Sequence, residues 1–252
     1  MFVVVKRKKI LLCLIALVVT AALAVSVPLG VKAAFSKSAR KLPIYSVETD
    51  EKKIAISFDC AWGVDYTDRL LSVMKEKGIA STFFMVEFWV KKYPEYVKKI
   101  DAAGHEIGTH SSTHPYMSKL GKEVIKKELE SSSSAITDIT GKKVEVFRPP
   151  YGDYDDLLIE TATEMGLYVI QWDVDSLDWK NLSSAEIYKR VTGKIKNGSI
   201  VLFHNNGLHT ADALPRIIDS IKNQGYEFVK IGDLIYRDNY KMAADGRQIK
   251  NV

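Results

Sequence analysis

The chain is poor in cysteine. Only Cys13 and Cys60 occur in 252 residues, which excludes a disulfide-stapled scaffold. It also lacks a basic excess outside its N-terminus. Five of the 36 basic residues, Lys6, Arg7, Lys8, Lys9 and Lys32, fall in residues 1–33, and none of the 31 acids does. The rest is formally neutral, so the net charge of +5 carries no nucleic-acid footprint, for which a basic folded domain would be expected. No glycine-rich phosphate loop follows the first strand-like segment, and there is no internal repeat or low-complexity tract. With 46% hydrophobic and 27% charged residues, the composition is that of a globular domain large enough to bury a core without disulfides.

One long apolar run is present. Ile10–Val27 is uncharged over 18 residues and follows four consecutive basic ones. A charged segment before an apolar one is the layout of an export signal, and the length also reaches the lower range of a membrane span. Val31-Lys32-Ala33 has the small residues of a cleavage site. A cleaved signal and an uncleaved anchor both fit, and either places the residues after about position 33 outside the cytoplasmic membrane. The expected organisation is therefore residues 1–33 as signal or anchor, 34–50 as linker, 51–238 as the folded domain and 239–252 as a C-terminal tail.

Within 51–238, strand-like and helix-like segments alternate. Lys53–Asp59 alternates as a strand, Tyr66–Lys77 has helical spacing, Ser81–Val86 reads as strand and Pro94–Ala103 as helix. His105–His110 is a strand, Lys122–Thr140 a helix closed by Gly141, Val144–Phe147 a strand and Tyr154–Met165 a helix. Leu167–Val174 is a strand, and Ser183–Lys196 a helix capped by Ser183 or Ser184 with Glu186 in its first turn. Ser199–His204 is a buried strand, Ala211–Asn223 a helix and Glu227–Ile231 a last strand. This order predicts an α/β fold with a parallel sheet, and about seven units favour a barrel.

Chemistry-bearing residues recur where these strands end, the face on which barrels and open parallel sheets bind ligands. Asp59 ends the first strand, His110 and His114 follow the third, and Arg148 follows Val144–Phe147. Asp175 and Asp178 follow Leu167–Val174, and His204 ends Ser199–His204. Two imidazoles four residues apart suit two ligands of one metal, although two histidines are an incomplete set and Pro115 favours a loop at His114. Asp59 suits either a turn or helix N-cap residue or a base acting beside a metal. Arg148, fixed by Pro149 and Pro150, suits an inward carboxylate partner. Asp178 beside Trp179 suits a hydrogen bond to His204 that sets its tautomer.

In sequence order, Ser57-Phe58-Asp59, His110-Ser-Ser-Thr-His114, Arg148-Pro-Pro-Tyr151, Asp175-Ser-Leu-Asp178-Trp179 and Leu202-Phe-His204 resemble the five motifs of the polysaccharide deacetylase family (carbohydrate esterase family 4, NodB homology domain). The resemblance spans Lys53 to Tyr236. Phe58-Asp-Cys-Ala-Trp-Gly63 further resembles the sporulation-associated PdaB-type branch. The resemblance implies a distorted (β/α)7 barrel that removes N-acetyl groups from N-acetylglucosamine-type units of a cell-wall glycan, peptidoglycan or chitin-like. It implies a divalent metal, zinc first, with cobalt or manganese as alternatives. Asp59 would be the base, Arg148 its orienting partner, His110 and His114 metal ligands, and His204 the acid tuned by Asp178. The Tyr151 N–H would help hold the oxyanion, and Leu202 and Trp179 would line the acetyl pocket. A monomer facing the cell wall is expected, membrane-bound if the N-terminal segment is uncleaved.

One position departs from the pattern. The family's second aspartate of the first motif, a metal ligand, is replaced by Cys60. Cys60 is either a zinc thiolate, a small packing residue beside a two-histidine site, or the mark of a site that no longer works. Packing is preferred. Two alternatives to deacetylation are a weak or inactive glycan-binding envelope protein and an acetyl-xylan esterase.

Overall fold

Alternation along Lys53-Ile-Ala-Ile-Ser-Phe-Asp-Cys60 sets the layers. A strand sends successive side chains to opposite faces. In the computed structural model, which describes residues 40–251, Ile54, Ile56, Phe58 and Cys60 pack into the larger apolar cluster with residues of the surrounding helices, while Ala55 joins a second, smaller cluster. The expected N-terminal signal or anchor lies outside the described residues. Among the described residues no helix is long and apolar enough to cross a membrane.

The strands are β1 (Ser46–Val47), β2 (Lys53–Cys60), β3 (Thr82–Met85), β4 (Glu106–Thr109), β5 (Val146–Phe147), β6 (Tyr168–Val169), β7 (Val174–Asp175), β8 (Ile200–His204), β9 (Glu227–Phe228), β10 (Tyr240–Met242) and β11 (Arg247–Lys250). The main sheet runs β6-β5-β4-β3-β2-β8-β7, with β9 paired to the start of β2. All its pairings are parallel. Helices cross between the strands, as parallel pairing requires. The result is the expected α/β distorted barrel, with its ligand face at the carboxyl ends.

Most expected elements are found within a residue or two. The Lys122–Thr140 helix closes on Gly141, which takes φ 69° and donates its N–H to Thr137 O; a left-handed residue there suits glycine. Ser183 caps the Ser184–Thr192 helix in a capping box with Glu186. Four segments differ. Leu167–Val174, expected as one strand, is divided into β6 and β7 at opposite ends of the sheet. Between them Gln171 donates its N–H to Ile44 O, and Asp173 to Ile200 O, so this stretch crosses the opening of the barrel instead of extending one edge. The expected tail at 239–252 contains an antiparallel hairpin, β10 with β11, whose second strand pairs with β1. The end of the expected linker is therefore folded, with Ile44 and Val47 buried. The strand expected to run to Ile231 stops at Phe228, and Ile231–Leu234 is a helical turn. The helix Glu87–Lys92 lacks the length that makes periodicity readable.

Candidate active site

Strand register brings the motif residues together. Asp59 and His204 are paired positions on β2 and β8. Thr109 pairs with Phe147 across β4 and β5, so the residues that follow them, His110 and Arg148, come side by side. They open into a cleft of about 690 Å³ lined by Asp59, His110, His114, Tyr151, Trp179, Leu202 and His204, together with Trp62, Trp172, Asp175 and others. Among the described residues, five of the six exposed large apolar side chains, Trp62, Tyr116, Tyr151, Trp179 and Leu208, belong to the loops that carry or adjoin these motifs.

Asp59 is 7% exposed. Its Oδ1 accepts from Arg148 Nη1 at 2.8 Å, and its Oδ2 lies 3.5 Å from His110 Nε2. Burial opposes its charge, but Arg148, His110 and His204 outweigh burial and hold the carboxyl below its ordinary value. Arg148 is fully buried, also donates from Nη2 to Gln171 O at 3.1 Å, and lies over the Phe84 ring with its guanidinium carbon 4.2 Å from the centroid. An arginine placed this way fixes one carboxylate oxygen and leaves the other facing the cleft.

His110 is buried, and its Nδ1 lies 2.7 Å from Arg148 O. A carbonyl only accepts, so Nδ1 carries the proton and Nε2 presents a lone pair toward Asp59. Burial lowers the pKa of both His110 and His114, the latter to about 4, with His110 as its second cause. Both rings are thus neutral at pH 7. Their centroids are 5.0 Å apart, and His114 Nδ1 is buried without a hydrogen-bond partner.

His204 is the opposite case. Its Nδ1 is 2.8 Å from Asp178 Oδ1, while its backbone N–H and Thr210 Oγ1 donate to Asp178 Oδ2. Burial lowers its pKa, yet the Asp178 hydrogen bond and charge, with Asp59 and Asp175 behind them, raise it above 6.5 on balance. Asp178 is fully buried in a 3₁₀ turn, Asp178–Lys180. Gly207 makes room for this arrangement: a Cβ there would lie 2.1 Å from Thr210 Oγ1 and 2.8 Å from Asp178 Oδ2.

The donor chemistry at His110 and His114 fits a divalent metal. Two neutral imidazoles are present, one with an unpartnered buried nitrogen, and an acceptor of His110 faces a carboxylate oxygen across 3.5 Å. The third protein ligand is not supplied: among the described residues no three His, Cys, Asp or Glu side chains converge as a metal-holding group. Cys60 stands apart from the pair. It is fully buried in the apolar cluster and does not line the cleft, and burial, then the Asp59 charge, pushes its thiol well up. Strand alternation is the reason: Cys60 shares a face with Ile54, Ile56 and Phe58, opposite to Asp59. Cys60→Ala is therefore expected to leave zinc affinity within about twofold and to cost about 1 kcal/mol of stability. Calorimetric zinc titration and a melting curve check this, and a folded variant that loses zinc would make Cys60 a ligand.

Trp62 and Trp172 line the cleft without having been expected there. Only proximity to motifs one and four signalled them, since their approach depends on how the loops fold back. Tyr151 takes φ 60°, a left-handed conformation uncommon for a bulky residue, and its ring stacks on Tyr116 with centroids 4.4 Å apart.

The sequence profile described as Polysaccharide deacetylase matches residues 46–170. A peptidoglycan-N-acetylglucosamine deacetylase of Bacillus cereus is 34% identical over 196 residues, covering 76% of this chain and 92% of its own. The uncharacterized protein YlxY of Bacillus subtilis is 34% identical over 193 residues, covering 77% of this chain; the match spans 60% of YlxY. The crystal structure of a CE4 family pseudoenzyme from Bacillus anthracis is similar with a TM-score of 0.74 and 32% identity, over 83% of this chain and 73% of that one. A mutant of that pseudoenzyme is described as having restored enzymatic activity; it is similar with a TM-score of 0.75 and 35% identity, over 77% of this chain and 71% of its own.

Proposed function

The chain belongs to the polysaccharide deacetylase family of hydrolases, and from that premise we propose that it hydrolyses N-acetyl groups on the amino sugars of a cell-wall glycan, peptidoglycan first, on the outer side of the cytoplasmic membrane. The observation that carries this reading is the opposed tuning of two groups on one cleft. Asp59 is held ionised, and His204 is held protonatable above its ordinary value. A pair of titratable groups driven apart in this way is what separate base and acid roles need.

Asp59 takes the proton of the attacking water while Arg148 keeps its carboxylate aimed into the cleft. The tetrahedral oxyanion is received beside the Tyr151 backbone N–H. His204, its Nδ1 engaged by Asp178, gives the Nε2 proton to the departing nitrogen. The C–N bond breaks, leaving acetate and a free amine. Leu202 and Trp179 surround the acetyl methyl. His110 and His114 would hold a divalent metal, zinc first, which when bound supplies Lewis-acid polarisation of the acetamide carbonyl. The test is acetate release from chitooligosaccharides and muropeptides by zinc-loaded protein; a loaded, folded protein that releases none would overturn the reading.

The His204 tuning sets the pH profile. The acid must be protonated, so activity falls as pH rises through the His204 value, above 6.5. In Asp178→Asn the charge that raises this value is gone, and the alkaline limb is expected to move to lower pH. An unmoved limb would separate His204 from the acid role.

A second reading, a weak or inactive glycan-binding protein, is favoured by two observations. Cys60 faces the core where the family's ligand would stand, and one similar structure is a pseudoenzyme. Glycan binding by metal-free protein without turnover would select it.

A further inference from the structure

The loop that carries the two histidines is held in an unusual backbone. Ser111 takes φ 72° and His114 φ 60°, left-handed conformations that non-glycine residues keep only when their surroundings impose them. The imposing groups are two carboxylates on flanking helices. Glu128, on the Lys122–Thr140 helix and 9% exposed, accepts three hydrogen bonds from the loop. Its Oε2 takes the N–H of Ser112 and of Thr113, both at 2.8 Å, and its Oε1 takes Thr113 Oγ1 at 2.7 Å. From the Glu87–Lys92 helix, Glu87 accepts from Ser112 Oγ and donates its N–H to Ser111 O. His114 N–H closes the turn on Ser111 Oγ at 3.0 Å.

The two imidazoles are oriented differently. His110 has its Nδ1 fixed by Arg148 O. His114 Nδ1 is buried with no side-chain or backbone partner, so its ring direction follows from the backbone beneath it and from edge-on contacts with Tyr151, His110 and Trp62, centroids 4.6, 5.0 and 6.4 Å away. We propose that Glu128 is the positioning residue for His114: by clamping Ser112 and Thr113 it fixes the left-handed turn that aims the His114 ring into the cleft. The consequence for metal rests on the reading that His110 and His114 are ligands. Partners that orient a ligand are worth about 10–100-fold in metal affinity, and here the partner acts through the main chain.

The test uses the full chain and two readouts. In metal-free protein the nuclear Overhauser contact between the His114 and Tyr151 ring protons reports ring placement. Calorimetric titration with zinc chloride reports the consequence. Glu128→Ala is expected to lose the ring contact and weaken zinc by about tenfold or more. Glu128→Gln should keep both, because one amide oxygen accepts both backbone N–H groups and the amide N–H₂ donates to Thr113 Oγ1 in place of the present bond. Ile136→Ala, which removes buried volume further along the same helix, should lower the melting temperature and keep both readouts. If Glu128→Ala fails to fold, Thr113→Val, which deletes one of the three bonds, should show the same losses in smaller measure. Intact ring contact and zinc affinity in Glu128→Ala would overturn the proposal, as would equal losses in Ile136→Ala. Wild-type protein that binds no zinc would end the metal reading, while the ring contact would still decide the role of Glu128.

Discussion

Asp59→Asn is expected to reduce acetate release by at least about 10²-fold, the lower end of what a general base contributes, and also to lower stability, because the buried Arg148 loses its counter-charge. The substitution keeps shape and most hydrogen bonding. The amide oxygen can still accept from Arg148 Nη1, and the amide N–H₂ can face His110 Nε2, which offers a lone pair at 3.5 Å from the present Oδ2. What is lost is the ability to take a proton from water. Acetate assays on zinc-loaded protein, alongside a melting curve, separate chemistry from stability. A folded variant with a wild-type rate would remove Asp59 from the base role.

Arg148→Met should act mainly on stability. Arg148 is fully buried, and its partner Asp59 nearly so. Breaking such a pair from one side leaves an uncompensated charge and costs about 3–5 kcal/mol, or roughly 10 °C in a domain of this size. The pH dependence has a definite sign. In the wild type the Asp59 pKa is depressed, so the Asp59 contribution is present above its unfolded value, about 3.9, and is lost as pH falls through the folded value. Without Arg148 the strongest lowering influence is gone and burial moves the folded value up, with only His110 and His204 opposing it. The variant then gains less stability from Asp59 ionisation than the wild type does as pH rises past about 4. The melting-temperature gap between wild type and Arg148→Met should therefore be wider at pH 7 than at pH 4. An equal gap at both would mean that the loss is one of packing over the Phe84 and Trp172 rings, whose centroids lie 4.2 and 5.6 Å from the guanidinium carbon, and not of charge.

Much of this site was legible in the chain because strand ends are legible. β-branched and aromatic runs bounded by turns mark β2 and β8, and in a parallel sheet their carboxyl ends lie on one face whatever the details. That is why Asp59, His110, Arg148, Asp178 and His204 could be grouped before any contact was known. Ser183 and Glu186 were readable for the same reason: a capping box depends on three residues and nothing distant. Cys60 was also half-legible, since the alternation that makes Lys53–Asp59 a strand puts adjacent residues on opposite faces.

The sequence alone determined the class of fold, the order of its strands and helices, and the identity of the groups at the strand ends, because these follow from local periodicity and turn chemistry. Tertiary structure decided the rest. It split Leu167–Val174 between the two ends of the sheet, since hydrogen bonds to Ile44 and Ile200 outweigh the preference of one apolar run to stay one strand. It paired β11, within the expected tail, with β1. It also made three similar imidazoles different: His204 is raised by a buried carboxylate and His110 and His114 are lowered by burial, because a pKa depends on charge and solvent brought near by distant parts of the chain, which no local pattern encodes.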